Sequence, residues 1–247
     1  MTKKKNPKPP IIDSFNFEPG RVLVKKYEVV SLLGAGWEGE VYQVKEIATG
    51  IERAIKLFFP HRDKKNKLSI QYAKKLHKLQ SCEMVIQYQT QETLLFRNLP
   101  VTFLVSEYVH GDILGDFLKS RRGKRLTDFQ GLNLLYALAC GIEQIHNLRE
   151  YHGDLHAGNI IVCKYGLGFE LKLLDFYHWV APKTENIHDD VCSMIKIFYD
   201  ALGGAKHYQA HDPAIKDICC GLKKNLILKK FRNAGQLRAY LELIELD

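Results

Sequence analysis

Between residues 27 and 109 apolar positions mostly alternate with polar ones, and beyond Gly111 they recur every three or four residues. Alternation is the period of half-buried strands, and the longer repeat is the period of amphipathic helices. Strands are therefore expected at 27–33, 41–44 and 51–59, the last following the turn signal Thr49-Gly50, and again at 84–95 and 101–109. One helix interrupts them at 66–80, where Leu68, Tyr72, Leu76 and Leu79 share a face. In the second half a long helix is predicted over 127–148, with Thr127 or Asp128 as its cap and Leu132, Leu135, Leu138, Ile142 and Ile145 along one stripe. Short strands at 160–163 and 169–174 bracket Gly166, and further helices follow at 188–202, 213–223 and 234–245. No internal repeat is visible. The pattern predicts an α+β chain with a β-rich N-lobe containing one helix and a reduced helical C-lobe.

Two loops in this pattern carry chemistry. Gly34-Ala35-Gly36-Trp37-Glu38-Gly39-Glu40-Val41 joins two strands, and glycines there let backbone N–H groups approach phosphate oxygens closely. Lys56 lies seventeen residues after Gly39 on the same strand face as Ala54, so its ammonium can reach the same phosphates. The second loop reads His152-Gly153-Asp154-Leu155-His156-Ala157-Gly158-Asn159, and a strand ending in Asp175 follows it. An Asp and an Asn five positions apart, with a strand-borne Asp sixteen residues on, supply a hydroxyl-orienting base and two oxygen ligands for Mg²⁺. That combination points to ATP as the phosphate source.

Composition changes this picture little. At 247 residues, with 46% hydrophobic and 26% charged positions, the chain has ordinary globular proportions and room for a sizeable core. Residues 1–19 begin with a Lys- and Pro-rich stretch that lacks the apolar run of a signal peptide, and they read as a flexible basic tail. The lobes are expected at 20–109, for nucleotide binding, and 110–247, for catalysis. The net charge of +8 resides in short clusters such as Lys64/Lys65/Lys67, Lys74/Lys75/Lys78, Arg121/Arg122/Lys124/Arg125 and Lys223/Lys224/Lys229/Lys230. These read as solvated faces, so no nucleic-acid partner is expected. No apolar run is long enough to span a bilayer. The six cysteines form no Cys-x-x-Cys pair, which is the usage of a reducing compartment and makes the cytoplasm the expected location.

The whole set resembles the protein-kinase-like superfamily over roughly residues 20–245. The resemblance implies that Lys56 and the glycine loop position ATP, with Val41 and Ala54 against the nucleotide. It implies that Asp154 orients the acceptor hydroxyl, with Asn159 and Asp175 as Mg²⁺ ligands. The run Leu104-Val-Ser-Glu-Tyr-Val109 resembles the hinge that meets adenine through its backbone, which assigns Glu107 and Val109 to nucleotide binding and Ser106 to the gatekeeper place. Asp112 falls where the ribose is held, and Asp190 where a helix carboxylate braces the catalytic loop.

Four departures stand out. The place of the helix Glu that pairs with the strand Lys is taken by Tyr72, beside Gln71. Gly153 replaces the Arg that reads a phosphorylated activation loop. His156 stands where Ser/Thr kinases carry a Lys, and the string is closer to aminoglycoside, choline and fructosamine phosphotransferases. Tyr177 replaces the Gly after Asp175-Phe176, and only fourteen residues separate Asp175 from Asp190, too few for a full activation segment. Ala181-Pro182 faintly echoes the family's Ala-Pro-Glu. These features imply a compact, constitutively active Ser/Thr protein kinase acting on a protein substrate. A small-molecule kinase with a hydroxylated acceptor and a nucleotide-binding pseudokinase are the alternatives.

Overall fold

A computed structural model describes residues 11–166, 168–177 and 183–244. Those up to Lys74 together with Gln87–Tyr108 form one compact unit, and Lys75–Ile86 with those from Val109 onward form a second. The Ala181-Pro182 echo lies outside the described residues.

The first unit is a six-stranded sheet of β1 (Val22–Leu23), β2 (Tyr27–Ala35), β3 (Gly39–Glu46), β4 (Glu52–Phe58), β5 (Tyr88–Phe96) and β6 (Leu99–Glu107). The order is β1-β2-β3-β4-β6-β5, and every neighbouring pair is antiparallel. Alternation decides which side chains go inside: Tyr42 and Val44 on β3, Ile55 and Leu57 on β4, and Val101, Phe103 and Val105 on β6 form one core. α1 (Lys67–Lys78) follows β4, and Asp63 caps its start by accepting from the Leu68 and Ser69 amides at 2.8 and 3.3 Å.

The segment before β1 corrects the sequence expectation. Ile12, Phe15 and Phe17, read as part of a flexible tail, are buried in this core. Phe15 meets Phe17, Phe59 and Phe96 at ring separations of 5.5, 5.4 and 5.4 Å. The Phe15 amide donates to buried Glu40 (3.1 Å), and the Phe17 amide donates to the Tyr42 hydroxyl (3.2 Å). Burial pushes the Tyr42 phenol up to about 12, so it remains a hydroxyl that also donates to Glu40.

In the second unit, β7 (Asp112–Ile113), β8 (Ile160–Tyr165) and β9 (Phe169–Leu173) make a small antiparallel sheet in that order. Residues 84–86, expected to open a strand continuous with β5, belong here: the Leu173 amide donates to the Met84 carbonyl at 2.7 Å. The helices are α2 (Leu114–Ser120), α3 (Asp128–Asn147), α4 (Lys183–Ala201), α5 (Pro213–Cys219), α6 (Lys224–Lys230) and α7 (Ala234–Leu241). Thr127 caps α3 through a reciprocal box with Gln130, and the whole predicted apolar stripe is buried. α4 begins five residues earlier than its periodicity suggested. The helix predicted at 213–223 stops at Cys219, because Cys220, Gly221 and Leu222 take left-handed backbone, and α6, which the periodicity did not predict, begins only at Lys224. All six cysteines are free thiols.

Candidate active site

In the first unit, β2 and β3 form the hairpin whose tip is the glycine loop. A Cβ on Gly39 would sit 1.8 Å from the Leu57 carbonyl, so strand packing alone demands glycine there. Gly34 and Gly36 differ. No atom lies within 4 Å of a Cβ built on either, so the fold makes no such demand, and their surroundings leave room for a ligand's oxygens. Val41 pairs directly with Lys56 in the β3–β4 register, and Ala54 lies two residues before it. Lys56 Nζ sits 4.6 Å from the centre of the Tyr72 ring, placing that aromatic where the resemblance calls for a carboxylate. A carboxylate does meet it, that of Glu38 in the glycine loop itself, at 2.9 Å. Sequence reasoning looked for an acidic side chain on α1 and missed this one, although it was already in the quoted motif.

The proposed hinge residues occupy the end of β6 and the stretch between β6 and β7. Ser106 donates its hydroxyl to the Ala54 carbonyl at 3.4 Å. Glu107 exchanges backbone and side-chain hydrogen bonds with Gln87: its amide donates to the Gln87 carbonyl, and its carboxylate accepts from the Gln87 amide, both at 3.0 Å. Asp112 opens β7 opposite Val162 and is exposed.

The second unit holds the Asp154 loop. Asp190, buried on α4, accepts from the His152 amide (2.7 Å), the Gly153 amide (3.0 Å) and the His146 ring (3.3 Å). Asn159 donates its side-chain amide to the Asp154 carbonyl at 2.9 Å and to the Asp154 carboxylate at 3.4 Å. The Asp154 amide donates to His152 Nδ1 at 3.3 Å. His152 is fully buried against Phe176, and burial pulls its pKa down to about 4, so near neutrality it is an uncharged acceptor. The backbone is thus fixed from three sides while the Asp154 side chain stays about half exposed. His156 lies beside it, its Nε2 3.8 Å from Asp154 and its Nδ1 accepting from the Gly158 amide at 3.0 Å.

Asp175 is tied to the same loop. The Leu174 amide donates to the Asn159 carbonyl at 2.9 Å, so the two oxygen-bearing side chains stem from hydrogen-bonded neighbours. Asp175 itself has left-handed backbone, φ 49°, a conformation Asp tolerates better than most residues. Gly153 also has positive φ, 85°, and a Cβ there would lie 3.0 Å from the Tyr151 ring and 3.1 Å from the Tyr177 carbonyl. The missing Arg is therefore a conformational requirement of this loop. Among the described residues no three His, Cys, Asp or Glu side chains gather as a metal site. Asn159 and Asp175 suit a different arrangement. With the Asn159 amide nitrogen committed to Asp154, its oxygen and the Asp175 carboxylate are the hard donors Mg²⁺ prefers, and its remaining positions suit phosphate and water.

The surface reading of the basic clusters needs one correction. Lys75 is only 7% exposed, its ammonium over the Tyr151 ring at 4.0 Å and donating to the Tyr177 carbonyl at 2.6 Å. Burial lowers its pKa to about 8.

A glycine hairpin facing a strand lysine, and a braced Asp/Asn loop bonded through Asn159 to the residue before Asp175, define a protein-kinase-like chain. It belongs to the protein kinase domain family, whose model matches residues 27–201. A relative named "Probable serine/threonine-protein kinase", from Streptomyces coelicolor, is 25% identical over 162 residues. That alignment covers 64% of this chain, and the chain spans only 23% of the relative's length. The PknI kinase domain of Mycobacterium tuberculosis, solved as a double mutant, matches with a TM-score of 0.63 at 14% identity, covering 92% of this chain and 97% of that one. This likeness establishes the α+β kinase fold. No helix among the described residues is long and apolar enough to cross a membrane.

Proposed function

We propose that the chain is an ATP- and Mg²⁺-dependent protein kinase that phosphorylates serine or threonine. The observation that carries this reading is the bracing of the Asp154 loop. Asp190 takes two consecutive backbone amides, Asn159 holds the Asp154 carbonyl, and the Asp154 carboxylate remains accessible to an acceptor. Phosphoryl transfer asks a protein mainly for placement and charge neutralisation. Asp154 orients the acceptor hydroxyl and takes up its proton. Asn159 and Asp175 hold the metal, which neutralises charge on the phosphates when bound. Lys56 and the backbone around Gly34 and Gly36 position those phosphates, with Val41, Ala54, Glu107, Val109 and Asp112 contributing to the nucleoside.

A second reading has its own observation. α4 begins at Lys183, leaving seven residues after Asp175 for any substrate platform, which favours a small hydroxylated acceptor. The test is incubation of the purified chain with Mg²⁺ and γ-labelled ATP beside Asp154→Asn and Asp175→Ala. Label on protein serine or threonine in the wild type alone supports the protein kinase. ATP turnover without protein label, dependent on Asp154, selects the small acceptor. Nucleotide binding with no turnover would leave a pseudokinase and overturn both.

A further inference from the structure

The pairing of Lys56 with Glu38 reaches further than a substitution of one carboxylate for another. Three contacts fold the tip of the glycine loop down onto β4 and its continuation. Glu38 Oε2 lies 2.9 Å from Lys56 Nζ. The Phe59 amide donates to the Glu38 carbonyl at 2.9 Å. The half-exposed Trp37 ring lies 4.5 Å from the Arg62 guanidinium carbon. The ion pair is sheltered, its side chains only 14% and 20% exposed.

A carboxylate and a phosphate offer an ammonium the same thing, an anionic oxygen at hydrogen-bond distance. A carboxylate on α1 would have held Lys56 from outside the glycine loop. Glu38 comes from within that loop, whose backbone amides are also the phosphate donors. A phosphate oxygen bonding Lys56 and the loop therefore arrives beside a fixed negative charge. We propose that Glu38 is a positioning residue that stands in for nucleotide phosphate: it orients Lys56 and holds the loop while no nucleotide is bound, and it is displaced when a nucleoside triphosphate binds. Its displacement opposes binding and so sets nucleotide affinity. The Tyr72 ring, 4.6 Å from the ammonium, keeps Lys56 oriented in both states without competing for an anion. This inference rests on the reading above that Lys56 receives phosphates.

The test uses the full chain in a Trp179→Phe background, where Trp37 is the only tryptophan. Affinity for Mg²⁺ with a non-hydrolysable ATP analogue is measured by calorimetry for this parent, Glu38→Gln, Glu38→Asp and Lys56→Met. A sheltered but accessible pair is worth about two- to fivefold in an equilibrium constant. Glu38→Gln is expected to bind the analogue tighter by about that factor, whereas a merely structural role would weaken binding. Glu38→Asp, which keeps the charge, is expected near the parent. Trp37 emission of nucleotide-free Glu38→Gln should move toward that of the saturated parent. Should Glu38→Gln fold poorly, Arg62→Ala frees the same tip and is expected to bind tighter too. A parent that binds in a Lys56-dependent way, with Glu38→Gln no tighter, overturns the inference alone. Absence of binding, or equal affinity in Lys56→Met, overturns the reading it rests on and the inference with it.

Discussion

Asp190→Asn isolates what the brace does for the loop. The exchange keeps shape and volume but turns one acceptor into a donor at a site 1% exposed. One carboxylate oxygen serves the His152 amide and the His146 ring, and the other serves the Gly153 amide. The amide that forms will keep its oxygen where two donors meet and turn its nitrogen toward Gly153. A backbone N–H then faces an NH₂ group in the interior, and the remaining bonds lose their ionic component. Losing a bond to a charged acceptor at this part-buried amide costs about 1.5–3 kcal/mol. The function should suffer separately, because Asp154 follows directly, and a displacement near 1 Å costs roughly a hundredfold in rate. Asp189→Asn is the control: its side chain is 56% exposed in a surface pair with Lys224, so less than about 0.5 kcal/mol and no rate change are expected. Urea unfolding and peptide phosphorylation would be measured on both. Equal behaviour of the two variants, or an Asp190→Asn within error of wild type, would refute the bracing argument.

Other outcomes are expected from the same structure. Phe15→Ala should cost about 3–5 kcal/mol of stability, since it empties a site enclosed by three aromatic rings, while the exposed Ile11→Ala stays within about 0.5 kcal/mol. Parity between them in urea would mean that the segment before β1 is not part of the core. His152 binds its proton only near pH 4 when folded but near 6.5 when unfolded. The unfolded chain therefore binds more protons in that window, and the contribution, roughly 3 kcal/mol, is whole above 6.5 and lost as the pH falls to 4. His152→Gln should flatten this part of the stability–pH curve, and an unchanged slope would count against a buried neutral imidazole. Ser106→Met should weaken binding of adenine analogues with bulky substituents at least tenfold by filling the space a small side chain leaves; unchanged affinity would remove Ser106 from the gatekeeper place.

Residues acting through their own short loop were legible in the sequence, and residues acting through a partner in another element were not. Asp154, Asn159 and Asp175 stand at intervals that a tight loop and one strand translate directly into proximity. Asp190 could be named only because the resemblance supplied a partner for it. The Glu38–Lys56 pair depends on how far the hairpin tip folds back, which no spacing encodes. Lys75 looked like one of three solvated lysines, yet it lies on the buried side of α1, where the 3.6-residue repeat sets it near Tyr72 and Leu79. The segment at 12–17 was hidden by its Lys- and Pro-rich neighbours, and its burial follows no strand period, since Asn16 between Phe15 and Phe17 has left-handed backbone. Two boundaries moved because left-handed turns and the early start of α4 depend on tertiary contacts.

The departures from the family pattern support one another in the segment after Asp175. A kinase that reads a phosphorylated loop needs an arginine after the loop histidine and a long segment to carry the phosphate. Here the arginine's place favours glycine, because its φ is 85° and a Cβ would lie 3.0 Å from the Tyr151 ring and 3.1 Å from the Tyr177 carbonyl. Tyr177 is so close because its backbone is bonded at both ends: its amide donates to the His152 carbonyl at 2.9 Å, and its carbonyl accepts from Lys75 at 2.6 Å. The buried ammonium thus holds Tyr177 with no phosphate involved, and activity independent of phosphorylation is the expectation that follows. Two results are expected. Phosphatase treatment should leave the initial rate of peptide phosphorylation unchanged. Lys75→Met should lower that rate while leaving nucleotide affinity within about threefold, because Lys75 acts on the Asp175 segment and on no residue proposed to hold the nucleoside. A rate that falls with phosphatase and returns after incubation with ATP would show that the bonds to Tyr177 do not suffice to order the segment.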